Sequence, residues 1–252
     1  MTGDEGKTAI LHIGLFKTGT TSFQAALADN RRRMRRRGFD FYRGAVRRDT
    51  HGELFRAAVR DGLESFGSLA HPDEDKAALR EKVRAHIHDF VRRTPAQTLI
   101  FSAEALSLLR SEDECRALRA LFPDTVTRFR ILLVLRDKQE FLASYTRQIL
   151  RVKGRCPSDD PASALYVGPG TWLTDFDGLI AAYEAVFGPV EVLDYRREGM
   201  LPALFDRIGL DLPVDERHYA KNVYDGASGL SALHRQASAG WARLRTRLLP
   251  FG

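Results

Sequence analysis

Ile10-Leu11-His12-Ile13-Gly14-Leu15-Phe16-Lys17-Thr18-Gly19-Thr20-Thr21-Ser22 is the stretch on which the reading of this chain turns. A short apolar run stops at Gly14. A hydroxyl-rich turn carrying one cation follows, and Phe23, Ala26 and Leu27 then open a helical spacing. The pattern is a strand, a tight loop and the N-terminus of a helix. The first backbone N–H groups of such a helix have no partner within it, and the helix dipole is positive there. An anion site results. Lys17 adds a full charge, and Thr18, Thr20, Thr21 and Ser22 add hydroxyl donors around Gly19.

Outward from this stretch, strand-like and helix-like segments alternate. Phe39–Tyr42 reads as a short extended piece, and His51–Val59 as a short helix. Residues 62–75 read as a loop. Leu79, Val83, Ile87 and Phe90 recur at helical spacing over Asp75–Arg92, and Pro95 marks the stop. Thr98–Ser102 is a buried strand by length and apolar content, with helical pieces at Glu104–Leu109 and Glu112–Leu121. Phe129–Leu135 is the most apolar run and is expected as a central parallel strand. A helix over Lys138–Arg151 follows. Val152–Gly170 is then the longest irregular stretch, of the kind that often forms a lid or binding loop. Leu173, Phe176, Ile180, Tyr183 and Phe187 form another helical stripe. A strand at Val190–Asp194 and a helix at Leu201–Ile208, closed by Gly209, come next. Leu230, Leu233, Ala237, Trp241, Leu244 and Leu248 place a last helix at about 229–249, read as docked on the core rather than as a dimer seam. With no repeat and no linker, residues 1–252 are expected as a single domain. Its class is α/β, a parallel sheet with helices on both faces, which binds ligands beyond the carboxyl ends of its strands. Those ends are Gly14, Ser102, Leu135 and Asp194.

Two of these ends carry notable side chains. Arg136 leaves the strand at Leu135 with its fork free, and Ser144 stands eight positions on, two turns along the next helix. An Arg fork and a hydroxyl together suit a phosphate monoester. At the neighbouring end stands Ser102-Ala103-Glu104, where Ser102 is expected to cap the following helix. His51 opens a short helix after a polar turn. His12 sits inside the first strand and reads as core, while His86 and His88 read as solvated. The two Cys and seven His show no zinc spacing, and no metal is expected. Asp137 is the one candidate for a magnesium ligand of a kinase, and Arg136 beside it fills that strand end with positive charge.

The Lys-Thr-Gly-Thr-Thr order is not a Walker A, which places Lys directly after its last Gly. It resembles the 5′-phosphosulfate loop of sulfotransferases that use 3′-phosphoadenosine 5′-phosphosulfate (PAPS). His-Ile-Gly-x-x-Lys-Thr-Gly-Thr-Thr-Ser is similar to the bacterial, carbohydrate-type branch in particular. Arg136 with Ser144 resembles the 3′-phosphate motif of the same family, with Lys138 where the family often has Pro. Ser102-Ala103-Glu104 is similar to a Ser-Ser-Glu triplet of bacterial members, from which Ala103 departs. Asp194-Tyr195-Arg196 and the Phe-x-x-x-Gly-Leu pattern of Phe205–Leu210 resemble late structural parts of the family.

The resemblance runs from about Ile10 to Ser231. It implies a P-loop NTPase-like sheet and transfer of a sulfuryl group from PAPS, leaving adenosine 3′,5′-bisphosphate. The acceptor it implies is a hydroxyl of a glycan, glycolipid or small natural product. By the same resemblance Lys17, Thr18, Gly19, Thr20, Thr21 and Ser22 hold the 5′-phosphate and Arg136 and Ser144 the 3′-phosphate. Lys221, beside Asn222, comes near the nucleotide, and Glu104 or its rival His51 is the base. Two other classes stand beside this one. A P-loop nucleotide-dependent kinase would need ATP and Mg²⁺, and a non-catalytic polyanion-binding protein would bind through its Arg surface.

Composition sets the outer limits. The chain has 252 residues, 44% hydrophobic and 29% charged, ordinary for one globular α/β domain. No run approaches the roughly 20 apolar residues of a membrane span. Met1–Lys7 is polar, without a signal-peptide core. Cys115 and Cys156 suggest no disulfide framework, and a cytoplasmic setting is expected. A net charge of +6, from 39 Lys and Arg against 33 Asp and Glu, favours anionic partners, an anionic glycan among them. The run Arg31-Arg32-Arg33-Met34-Arg35-Arg36-Arg37 reads as the solvated end of the first helix, stopped by Gly38. No aromatic residues interleave it, and a nucleic-acid partner is not expected.

Overall fold

The computed structural model describes residues 6–219. Five strands form one sheet: β1 (Lys7–His12), β2 (Phe39–Phe41), β3 (Thr98–Ser102), β4 (Val126–Leu135) and β5 (Val190–Asp194). Around it lie α1 (Thr20–Arg35), α2 (Gly52–Ala58), α3 (Phe66–Ala70), α4 (Lys76–Arg93), α5 (Glu112–Arg119), α6 (Lys138–Arg151), α7 (Phe176–Phe187), α8 (Met200–Ile208) and α9 (Glu216–Tyr219). The strand order is β2-β3-β1-β4-β5 and every pair is parallel. β1 is central, with His12 opposite Ser102 in β3 and Leu132 in β4. The chain fills the β3 side first and then crosses to β4. The carboxyl end of β1 is therefore the point where the winding reverses, and where such sheets bind ligands.

Successive strand residues point to opposite faces, which explains the two cores. Ala9, Leu11, Leu99, Phe101, Ile131 and Leu133 face one side and pack with α2, α4, α5 and α7. Ile10, Ile100, Leu132 and Val134 face the other and pack with Phe23, Ala26 and Leu27 of α1 and Leu201, Leu204 and Phe205 of α8. With both faces covered, the strands must be apolar throughout. That requirement made Thr98–Ser102 and Phe129–Leu135 readable.

Other details differ from expectation. Residues 62–75 are not all loop, because a reciprocal capping box between Ser65 and Ser68 nucleates α3. β4 begins at Val126, three residues early, where Thr127 and Arg128 face solvent and hide the pattern. β1 begins at Lys7, whose ammonium donates to the carbonyls of Thr94 (2.7 Å) and Ala96 (2.8 Å) just beyond α4. The arginine run is only partly a solvated helix end. Arg31 and Arg35, one turn apart, grip the fully buried Asp40 of β2 at 2.7 and 2.8 Å, and Thr94 Oγ1 donates to the same carboxylate. Arg32, Arg33, Arg36 and Arg37 are exposed. Cys115 is buried, Cys156 exposed, and both are free. Among the described residues no helix is long and apolar enough to cross a membrane. The helix expected at about 229–249, with Lys221 and Asn222, lies outside the described residues.

Candidate active site

The loop from β1 to α1 is held in an unusual shape. Lys17 has φ 67°, and among the described residues it is the one non-glycine with positive φ. A residue with a Cβ costs about 1–2 kcal/mol in that region, and such strain gathers at functional loops. Gly19, at φ 88°, is the N-cap residue of α1 and supplies no side-chain cap. Gly14 admits no side chain: a Cβ there would lie 2.9 Å from Thr18 Oγ1 and 3.0 Å from His12 Nε2. The loop closes on itself through Thr18 Oγ1, which donates to the Leu15 carbonyl (2.6 Å).

This geometry sorts the expected anion ligands. The buried Thr18 hydroxyl is spent on the loop, which corrects its reading as a free donor, and its backbone amide is what it can offer. Ser22 Oγ is likewise engaged, donating to the Tyr219 carbonyl (2.7 Å). Thr21 is exposed. Thr20 Oγ1 is buried and has no partner among the described residues. Phe23 N, bonded to the Gly19 carbonyl, opens the helical ladder, so the amides of Thr20, Thr21 and Ser22 have no intrahelical acceptor. Lys17 is half-buried beside them. An orphaned hydroxyl, a run of unbonded amides and a cation around a loop too tight for a Cβ fit a tetrahedral oxyanion.

At the end of β3, Ser102 does not cap the next helix as expected. Its Oγ shares a 2.8 Å hydrogen bond with His12 Nδ1, and Ala103 takes the N-cap position of the 3-10 turn Glu104–Leu108 without a side-chain bond. Glu104 opens that turn. Burial pushes its carboxyl up to about 7, against the pull of the Lys17 ammonium. A carboxylate and a cation thus feel each other across the ends of β3 and β1, at the point where the winding reverses.

His51 does not have the freedom of a base. It is fully buried; its Nδ1 accepts from Ser102 N–H (2.9 Å) and its Nε2–H donates to the Tyr42 carbonyl (2.9 Å). Burial holds its pKa down at about 3. With both nitrogens bonded to backbone, no lone pair is left for a substrate proton, which corrects the reading of His51 as a base. His12, read as core, is buried as expected, yet its Nε2 has no partner among the described residues and lies over Gly14. His86 is exposed but bonded, Nε2 to the Arg43 carbonyl at 2.8 Å.

The third strand end carries Arg136. Its fork is not free: Nε donates to Glu140 (2.9 Å), and the guanidinium lies 4.9 Å over the Tyr195 ring. Ser144 is buried on α6, on the face shared by Phe141 and Tyr145. Asp137 is the N-cap of α6, accepting from the amides of Gln139 and Glu140 (3.0 Å each). Among the described residues no three His, Cys, Asp or Glu side chains gather as metal ligands would.

Two contributions escaped the sequence. Gln24, buried on α1, donates to the Ser102 carbonyl (2.8 Å); a polar residue between the inward Phe23 and Leu27 was the available signal. Phe16, Phe66 and Tyr145 form an aromatic cluster, with centroids 4.9 to 6.5 Å apart, beside the loop from β1 to α1. The Glu104 charge disfavours ionisation of the Tyr145 phenol, which places that cluster near the carboxyl. No signal short of the fold joins these residues. No protein-family model matches the chain, and no curated protein matches it.

Proposed function

We propose that this protein is a sulfotransferase that moves a sulfuryl group from PAPS to an acceptor hydroxyl, on a sheet of the P-loop NTPase-like kind. The observation that carries the proposal is the pairing of the strained Lys17 loop with the raised Glu104 carboxyl at adjacent strand ends. When bound, PAPS supplies an activated sulfuryl group on a phosphate leaving group. Lys17, the amides opening α1 and the Thr20 hydroxyl stand ready for negative charge on that group. Such preorganised donors act most strongly where charge develops in the transition state. Glu104 takes the proton of the acceptor hydroxyl as its oxygen bonds to sulfur and the bond from sulfur to the 5′-phosphate oxygen breaks. A carboxyl near 7 is well matched to that work at neutral pH. Arg136 and Ser144 hold the 3′-phosphate once Arg136 has exchanged Glu140 for it.

Calorimetric titration tests it with adenosine 3′,5′-bisphosphate and with ATP plus Mg²⁺, on wild type and on Arg136→Ala. Binding of the bisphosphate in preference to ATP, weakened in the variant, is expected. ATP binding with no preference for a 3′-phosphate would move the chain to the kinases. Binding of neither nucleotide, together with salt-sensitive binding of a polyanion, would leave a scaffold with a basic surface.

A further inference from the structure

Three buried side chains from three separate parts of the fold converge on Ser102 and hold every polar atom it has. His51, at the N-cap of α2, takes its N–H (2.9 Å). Gln24 of α1 donates to its carbonyl (2.8 Å), and His12 of β1 shares a bond with its hydroxyl (2.8 Å). The two residues that follow are held as well. Ala103 N–H donates to the His12 carbonyl (3.1 Å), and Ser107 Oγ donates to the Glu104 carbonyl (2.7 Å). Ordinary strand ends need one ladder bond per residue. Here the peptide that carries Glu104 is fixed from several sides.

The part played by His51 is the most particular. β2 ends at Phe41, and its ladder with β3 makes a last bond from Tyr42 N–H to the Ile100 carbonyl (3.0 Å). The next rung would join the Tyr42 carbonyl to Ser102 N–H. The imidazole fills that gap, donating to the first and accepting from the second. A backbone N–H can only donate and a carbonyl can only accept, so the ring must be the neutral Nε2–H tautomer. It does what a peptide unit would do in that place.

We propose that His51 is a positioning residue, which acts through Ser102 to set where the Glu104 carboxylate stands relative to Lys17. The proposal rests on the sulfotransferase reading for what Glu104 does, and on the hydrogen bonds alone for where it is held. His12 and Gln24 complete the clamp. Loss of the imidazole rung leaves Ser102 N–H and the Tyr42 carbonyl buried and unpaired, so the β3 end shifts toward water and takes Glu104 with it. The titratable groups that bear on the Glu104 carboxyl are Lys17 from the β1–α1 loop and Tyr145 from α6.

Two variants separate positioning from bulk. His51→Gln keeps one donor and one acceptor, whereas His51→Phe keeps the aromatic packing against Phe41 and Tyr42 (centroids 4.9 Å) and loses both bonds. Glu104 is followed by carbon NMR of protein labelled at the glutamate carboxyl, its signal assigned through Glu104→Gln. Adenosine 3′,5′-bisphosphate affinity is measured on the same samples. The Glu104 midpoint in His51→Gln is expected to match wild type. In His51→Phe it falls by about 1 pH unit or more toward the ordinary carboxylate range as water reaches the group. Bisphosphate affinity reports whether the β1–α1 loop stays intact in each variant. A folded His51→Phe with the wild-type midpoint overturns the proposal. Should that variant fail to fold, Gln24→Met, which frees the Ser102 carbonyl, must lower the midpoint, and an unchanged value overturns it. Absence of bisphosphate binding in wild type would instead retire the sulfotransferase reading, and the NMR midpoints would still decide the positioning role.

Discussion

Arg136 and Glu140 stand one turn apart at the start of α6, joined by a 2.9 Å hydrogen bond from Nε, with the Tyr195 ring beneath the guanidinium. The glutamate is largely exposed and the arginine largely covered. Helix-surface pairs of this spacing are worth about 0.3–0.5 kcal/mol, far less than charge-assisted bonds to a phosphate. Under the proposed function Glu140 is a stand-in that the 3′-phosphate displaces. Glu140→Ala is expected to tighten adenosine 3′,5′-bisphosphate binding about twofold by removing that competition. Arg136→Ala is expected to weaken it by about 10–100-fold through lost charge-assisted bonds. Calorimetry with adenosine 5′-monophosphate as control, unaffected by either change, checks that the 3′-phosphate is the group sensed.

The left-handed Lys17 makes a prediction of opposite signs for stability and for binding. Lys17→Gly relieves about 1–2 kcal/mol of backbone strain and adds about 0.5–1 kcal/mol of chain freedom to the unfolded state. A net gain of about 0–1.5 kcal/mol follows, raising Tm by up to about 6 °C in a domain of this size. Lys17→Ala keeps the strain and gains nothing. Both lose the ammonium and, under the proposed function, about 10²-fold or more in turnover. Thermal scans of the two variants side by side separate the effects; a Tm of Lys17→Gly below that of Lys17→Ala would show that the loop carries no strain at this position.

Four buried titratable groups give an acid-stability signature. Burial lowers His12 and His51 to about 3, from an ordinary 6.5. The unfolded chain therefore takes up protons below pH 6.5 that the folded chain refuses, and each histidine removes stability as pH falls from 6.5 toward 3. Burial raises Glu53 and Glu104 to about 7, from 4.5. The folded chain takes up those protons first, so each glutamate adds stability as pH falls from 7 to 4.5. The two pairs oppose one another between 4.5 and 6.5. Glu53→Gln removes one of the compensating groups. Its unfolding free energy, from urea titrations, should fall more steeply than wild type across that window, by about 1.4 kcal/mol per pH unit. Parallel pH profiles would exclude a raised Glu53.

The arginine run divides into two functional halves. Asp40→Ala strips Arg31, Arg35 and the Thr94 hydroxyl of their buried partner. The cost expected is about 2–4 kcal/mol, at the lower end for a broken buried pair because both arginines reach water. Arg32→Ala and Arg36→Ala touch exposed side chains and should stay within about 0.5 kcal/mol of wild type. Chemical denaturation of the three variants measures the contrast, and a silent Asp40→Ala would remove the buried anchor from the account of β2.

The sequence made the sheet legible wherever burial forced a pattern. β3 and the apolar part of β4 are covered by helices and read as apolar runs, and the stripes of α4 and α7 follow the helical period. It was silent where a strand or helix is made by polar contacts. α3 rests on a serine capping box, and the first residues of β4 face solvent. The loop from β1 to α1 was visible as a loop, because Gly14, Lys17 and Gly19 stand together in sequence. What each hydroxyl does there was not, since Thr18 turns inward to Leu15 and Ser22 to Tyr219, a partner 197 residues away. His51 stood out as a histidine near the right place. Only the gap between Tyr42 and Ser102 shows why an imidazole is needed and why it has no nitrogen to spare. Arg136 was placed correctly, but its neighbour Glu140 was not recognised as its present partner.

Glu64 ties together two segments that lie 99 residues apart. Its carbonyl accepts from Ala164 N–H (2.8 Å) and its carboxylate from Ser163 Oγ (2.5 Å), while Arg155 reaches across to the Leu69 carbonyl (3.0 Å). Tyr145, beside Glu104, donates to Ala164 from below (3.0 Å). The α2–α4 connection and the 152–170 loop are therefore one mechanical part made from two pieces of chain. A graft that exchanges either piece alone for that of another protein breaks the seam at Glu64. Engineering of what this face accepts has to proceed with the two pieces inherited as a pair.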